Sequence, residues 1–188
     1  NICRHRQATI LEGRGSSRNI VCPIHRWTYA MDGKLLGAPH FSKNPCLNLG
    51  KTILQRWNGM IFAGKRDINR DLAGMGSRNE LDFSGYVLDR VQIDHYQCNW
   101  KTFIEVYLED YHVDPFHPGL GHFVNTRQLE WEFGDWYSVQ TVGVNPDFSH
   151  AGSEVYQKWH AQVLQQNNQK IPRHGAIWLL YYPNVMLE

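Results

Sequence analysis

No run of eighteen apolar residues occurs in the 188 positions, so no transmembrane helix and no membrane partner are expected. There is no P-loop and no dinucleotide-binding glycine motif, so a reductant has to come from a separate protein. Basic and aromatic residues do not interleave in the manner that grips nucleic acid, which excludes that partner as well. No secretory leader is visible, although Asn1 reads as a cut edge of a longer chain. Cysteine is scarce: Cys3 and Cys22 stand close before histidines, while Cys46 and Cys98 are isolated. Four such residues make no disulfide framework and favour a reducing, cytoplasmic setting. Internal repeats and low-complexity tracts are absent too.

What is present is an ordinary globular composition, 42% hydrophobic and 20% charged, enough for one domain or two small ones. The net charge of +1 hides an asymmetry. Residues 1–60 carry nine Lys/Arg against two Asp/Glu, a balance of +7, and residues 61–188 carry ten against sixteen, a balance of −6. Opposite signs suggest two domains that attract each other, within a chain or between chains. Independent solvated surfaces are the plainer reading.

Short apolar runs separated by Gly, Pro and Asn over residues 6–60 predict small antiparallel β-structure, with a hairpin signal at Asp32-Gly33. Residues 65–84 are polar without a clean period and read as a linker with a short helical turn. A strand is expected over 85–98 and a helix over 99–113, with Trp100, Phe103, Val106, Tyr107 and Tyr111 at helical spacing and Pro115 ending it. "RQLEWEF" and "YSVQTVGV" follow as strands, then a polar helix near 152–168 and a closing strand pair in "GAIWLLYYPNVMLE". The domains expected are 1–64 and 85–188, joined by 65–84.

Cys3, His5, Cys22 and His25 form the first constellation. Two thiolates and two imidazoles suffice for tetrahedral zinc. The usual finger order, however, puts both cysteines before both histidines. One Cys and one His on each arm suits a two-iron cluster, with both thiolates on one iron and both imidazoles on the other. Two ferric ions, two sulfides and two thiolates sum to zero charge, so such a cluster accepts an electron more readily than an all-thiolate one. Pro23 restrains the second ligand loop, and Gly33 and Gly37 permit tight turns.

The second constellation is "FIEVYLEDYHVDPFHPGL". Five residues along an unbroken helix would turn His112 and His117 apart, so they converge only through a break, which Pro115 is expected to supply. Two neutral histidines and one carboxylate make the facial triad of non-haem ferrous iron. Glu105, Glu109 and His112, at i, i+4 and i+7, are expected to share a helix face. Beside a metal-binding histidine, a carboxylate reads as the group that orients the imidazole.

The pattern C-R-H-R … C-P-I-H-R-W-T-Y … D-G … L-x-G resembles the Rieske domain, with Arg26 where that family often has Gly. "NWK-x-x-x-E-x-x-L-E-x-YH-x-x-x-x-H", from Asn99 to His117, resembles the iron-binding motif of the Rieske non-haem iron oxygenases, and the likeness runs through the whole chain. The resemblance implies an α+β protein, cut at both ends: a small antiparallel β [2Fe-2S] domain followed by a helix-grip-like catalytic domain with an antiparallel sheet. It implies a terminal oxygenase alpha subunit with two cofactors, a [2Fe-2S] cluster on Cys3, His5, Cys22 and His25 and a mononuclear Fe(II) on His112 and His117. Glu109 matches the catalytic carboxylate that links the cluster histidine of one subunit to the iron of its neighbour. Glu in place of Asp resembles the branch acting on quaternary amines, such as carnitine and choline.

The implied reaction is hydroxylation, dihydroxylation or oxidative dealkylation of a small organic substrate, an aromatic compound or a quaternary amine. The implied partners are dioxygen and an NAD(P)H-dependent reductase, with or without a ferredoxin, and the implied assembly is a homotrimer. The third iron ligand is expected beyond Glu188; Asp147 and Glu188 are rejected for the role. A Rieske electron carrier without catalysis and a zinc-binding interaction module are the rival readings. His40, His95, His122, His150, His160 and His174 lack paired spacing and read as surface or core residues. Cys46 and Cys98 read as small buried hydrophobes.

Overall fold

The structure, a computed structural model, describes residues 1–145 and 153–188. The chain divides into two units, Asn1–Leu54 with Ala63–Lys65 and Gln55–Phe62 with Arg66–Glu188.

In the first unit, β1 (Asn19–Val21), β2 (Thr28–Ala30) and β3 (Leu35–Gly37) form an antiparallel meander. Asp32-Gly33 turns β2 into β3 as its sequence predicts: Gly33 sits at φ 88, and Asp32 Oδ1 accepts from the Lys34 N–H at 3.0 Å. The core of this unit is small: Cys3, Ile10, Cys22, Trp27, Tyr29 and Leu35. Both candidate thiols lie in it.

The second unit begins at Gln55, within the hairpin of β4 (Leu54–Trp57) and β5 (Met60–Ala63). Its turn residues Asn58 and Gly59 both have positive φ, 45 and 84. A Cβ on Gly59 would lie 2.5 Å from the carbonyl carbon of Phe83, whose N–H bonds to the Asn58 carbonyl at 3.0 Å. Only glycine admits that close backbone approach.

Residues 66–84 hold the short helical turn expected there, but they are packed into the core rather than a free linker. Asp67 caps α1 (Ile68–Asp71), its Oδ1 accepting from the N–H groups of Asn69 and Arg70 at 3.0 and 3.2 Å. Ile68, Leu72 and Met75 then fall on one helical face and are buried with Leu81, Trp57, Tyr137, Val139, Leu179 and Tyr181. The apolar spacing i, i+4, i+7 was there, hidden among charges. The strand expected over 85–98 is also absent: no helix or strand covers 84–98, and Tyr86, Val87, Leu88, Val91 and Ile93 are exposed. A strand needs an edge to pair with, and the described residues offer none there.

α2 (Trp100–Tyr107) is capped by Asn99, whose side chain accepts from the Lys101 N–H at 3.0 Å. Two single turns follow, α3 (Val113–Phe116) and α4 (Pro118–Gly121). A four-stranded antiparallel sheet then runs in chain order: β6 (Val124–Phe133), β7 (Tyr137–Val144), β8 (Ala176–Tyr181) and β9 (Val185–Leu187). Between β7 and β8, α5 (Glu154–Gln166) starts on a Ser153 cap.

β7 is buried from Tyr137 to Val142 because both faces of the sheet are covered. On one face Val139, paired with Leu179, packs into the core with Ile68 and Leu72. On the other, Val142 packs with Val113, Phe123 and Val124, under Leu120 and α5 residues Val163 and Leu164.

Candidate metal centres

Two loops of like build hold the first set of residues. The Cys3 N–H bonds to the Ala8 carbonyl at 2.8 Å and the Gln7 N–H to the Cys3 carbonyl at 3.0 Å. In the second loop the Cys22 N–H bonds to the Trp27 carbonyl at 2.8 Å and the Arg26 N–H to the Cys22 carbonyl at 3.1 Å. Each loop closes through a left-handed residue four places after its cysteine, Gln7 at φ 57 and Arg26 at φ 58. That conformation explains the departure noted at Arg26: the position favours Gly because of its φ, and an L-residue there carries strain.

The loops bring the four side chains together in pairs. Cys3 and Cys22 are each 1% exposed and share one small core. The rings of His5 and His25 lie 4.7 Å apart, edge to face, with His25 exposed. His5 stacks on Trp27 at 4.9 Å. Its Nδ1 is buried and has no hydrogen-bond partner among the described residues. A buried ring nitrogen left unpaired is costly, and a metal bond would satisfy it.

The surroundings favour the ligand forms. Burial pushes the Cys3 thiol up, but hydrogen bonds from Tyr29, from Cys22 and from the His5 and Arg6 backbone bring it below its ordinary value. Burial, followed by the charges of His25 and Arg6, holds His5 below the usual imidazole value, so its ring is neutral. Tyr29, fully buried, puts its hydroxyl 3.4 Å from Cys3 Sγ and accepts the Arg4 N–H at 3.2 Å. Burial and then the Cys3 contact push its phenol up to about 12, so it keeps its proton. The sequence reading did not single out Tyr29. Its signal was a Tyr two places after a buried Trp in a short strand, whose hydroxyl needs a partner.

In the second unit α2 ends at Tyr107, earlier than its sequence predicts. Glu109 Oε2 takes the Tyr111 N–H at 2.6 Å, and this local bond competes with the helical pattern. Glu105, Glu109 and His112 therefore do not share a helix face. Glu109 and His112 meet across a turn instead, with Oε1 2.5 Å from His112 Nδ1. The hydrogen bond from His112, ahead of a smaller burial effect, holds the Glu109 carboxyl below the usual carboxylate range. It also occupies Nδ1 and leaves Nε2 of His112 free to ligate.

Pro115 does not end the helix either. It sits inside α3, and His112 and His117 flank that single turn as its N-cap and C-cap. Their rings lie 5.3 Å apart at 78°. Val113, between them, is buried against Val142 and Phe123 and ties the turn to the sheet. The apolar face of α2 is not core: Ile104 is its one buried residue, and Phe103, Val106 and Tyr107 line a cavity of about 670 Å³. Glu109, His112 and His117 open into the same cavity.

No group of three His, Cys, Asp or Glu among the described residues gathers round one point. Tetrahedral zinc would need four, whereas a two-iron cluster needs two at each end. Paired thiols and paired imidazoles fit the cluster. His112 and His117 fit two corners of a mononuclear site. Glu188, rejected as a ligand, instead accepts from Trp178 Nε1 at 2.9 Å. Asp147 and His150 lie outside the described residues. Cys46 and Cys98 are exposed rather than buried, since each sits in an irregular segment that packs against little. Among the other histidines set aside, His160 is buried.

Residues 77–188 match the family described as ring hydroxylating alpha subunit (catalytic domain), and residues 1–54 match the Rieske [2Fe-2S] domain. The chain belongs to the Rieske ring-hydroxylating alpha subunits. A putrescine 2-hydroxylase of Ralstonia nicotianae is 61% identical over all of this chain and 52% of its own length. One of Bordetella bronchiseptica is 50% identical over all of this chain and 47% of its own. The alpha-subunit segment described here thus spans about half the length of the curated relatives it matches. A carnitine monooxygenase oxygenase subunit of Escherichia coli is 26% identical over 72% of this chain and 40% of its own. Among solved structures, a quaternary ammonium Rieske monooxygenase superposes with a TM-score of 0.67 at 23% identity, over 78% of this chain and 45% of that one. A naphthalene 1,2-dioxygenase with indole bound gives 0.58 at 18%, over 100% and 51%. These likenesses bear on the fold, and the family match makes the [2Fe-2S] cluster and the mononuclear iron its cofactors.

Proposed function

We propose that the whole protein is the terminal oxygenase of a cytoplasmic multicomponent system and hydroxylates a small amine. The observation that carries this reading is the Glu109–His112–His117 turn opening into a cavity of about 670 Å³. An electron carrier has no use for such a chamber. The amine rests on the two putrescine 2-hydroxylases, which span this chain from end to end. It is preferred to the aromatic substrate that the sequence also allowed.

Cys3 and Cys22 would hold one iron of the cluster, His5 and His25 the other, and His112 and His117 the mononuclear iron, with a carboxylate from outside the described residues. When bound, the cluster supplies single electrons and the mononuclear iron supplies dioxygen activation. The chain's own residues do the rest. Burial and Tyr29 keep water and protons from Cys3. Glu109 fixes the tautomer and tilt of His112. Val113 anchors the turn, and Phe103, Val106 and Tyr107 give the cavity an apolar wall. A reductase drawing on NAD(P)H, with or without a ferredoxin, feeds the cluster. In the assembly we propose, a homotrimer, exposed His25 of one subunit meets Glu109 of the next.

The test is the full-length protein with a reductase, NADH and putrescine. Hydroxylated product with matching oxygen uptake and three irons per chain is expected. Two irons per chain without turnover would make it an electron carrier.

A further inference from the structure

β7 carries one polar side chain that its neighbours do not explain. Gln140 is 3% exposed, between Val139 and Val142, which are apolar and equally buried. Its Oε1 is buried and has no hydrogen-bond partner among the described residues. An unpaired buried acceptor costs about 1–3 kcal/mol, so a position with only a space-filling role would hold an apolar residue.

The register shows which way it faces. Gln140 pairs with Trp178 on β8, and Val139 pairs with Leu179. Val139 and Leu179 point into the core with Ile68. Gln140, Val142 and Trp178 therefore occupy the opposite face, and all three line the cavity beside His112 and His117. Glu109, Asp110 and Glu188 also line it, and no Lys or Arg is among the described residues that do. The three carboxylates outweigh the two positive charges of a ferrous ion on the neutral histidines, so the chamber keeps a net negative charge that attracts a cation.

We infer that Gln140 selects substrates whose nitrogen bears hydrogen: its carboxamide oxygen accepts an N–H from a protonated primary or secondary amine seated beside His112 and His117. The inference rests on the amine reading above and deepens it. Charge and aromatic walls attract any small organic cation, including a quaternary ammonium. Only a nitrogen with hydrogens can satisfy the Gln140 oxygen. A site built to bond an N–H disfavours the analogue lacking it, because its own buried group is then left unpaired.

The experiment compares two probes on the iron-loaded, anaerobic full-length enzyme by calorimetry. One is putrescine, and the other is permethylated putrescine, in which both nitrogens are quaternary. The wild type should prefer putrescine, and Gln140→Met should weaken putrescine binding about 10- to 100-fold while leaving the permethylated probe unchanged. If Gln140→Met does not fold, Gln140→Glu decides: the acceptor is kept, so the preference for putrescine should be kept or increased. A folded Gln140→Met with the wild-type preference, or a Gln140→Glu without it, overturns this inference alone. A wild type that binds neither probe overturns the amine reading, and this inference with it.

Discussion

Replacing Tyr29 with Phe removes one oxygen atom from a fully buried ring. The hydroxyl lies 3.4 Å from Cys3 Sγ, and the ring is fully buried. With its value pushed up to about 12, the phenol stays protonated at any working pH, so it is a donor to a metal-bound thiolate. A donor stabilises the sulfur more when the cluster has gained an electron, and its loss should lower the reduction potential. A differential contribution of about 1 kcal/mol corresponds to roughly 40 mV for a one-electron couple. The Arg4 N–H also loses its acceptor, so stability should fall by about 1–3 kcal/mol. A redox titration of the purified full-length protein followed by visible circular dichroism reads the first effect, and urea unfolding reads the second. A variant with full iron content and an unchanged potential would refute the role given to Tyr29.

Glu109→Gln should keep the cluster and bind iron yet lose most turnover, since the amide cannot hold His112 with a charge; normal turnover would remove Glu109 from the machinery. Gly59→Ala should cost about 2–4 kcal/mol in urea unfolding, because φ 84 is strained for Ala and its Cβ would lie 2.5 Å from Phe83. An unmoved midpoint would show that the hairpin gives way freely. Burial raises the Asp71 carboxyl, but the Tyr181 hydroxyl at 2.7 Å and Arg66 outweigh it and hold it below its ordinary value. Its stabilisation is therefore complete above an unfolded value of about 3.9 and is lost as pH falls through the folded one. Asp71→Asn should flatten the fall of the melting temperature in acid, and a slope equal to wild type would count against that bond.

The proposed ligand residues could be picked out because metal chemistry demands particular side chains at close spacing. Cys3, His5, Cys22 and His25 could be read without knowing a single strand, and so could His112 and His117. The strands of the second unit were legible too, as runs rich in β-branched and aromatic residues. The reading failed where tertiary contacts override local pattern. Residues 66–84 looked like a linker because Ile68, Leu72 and Met75 are spaced among charges, and only the sheet they cover makes them core. The end of α2 was misplaced because Glu109 spends its side chain on a backbone N–H, which composition does not reveal. Gln140 was invisible for a related reason. Its importance lies in an unpaired oxygen, and pairing is a property of the fold.

The double-sided burial of β7 separates two kinds of mutational freedom along a single strand. Odd-numbered positions such as Val139 answer to the core, where a lost methylene is felt as instability. Even-numbered positions such as Gln140 line the chamber, where a change alters what fits, and Val142 does so while also filling the second core. Neighbours in the chain thus belong to different selective regimes. A change at Gln140 would alter the chamber without touching the core that Val139 fills, whereas a change at Val142 would be felt in both.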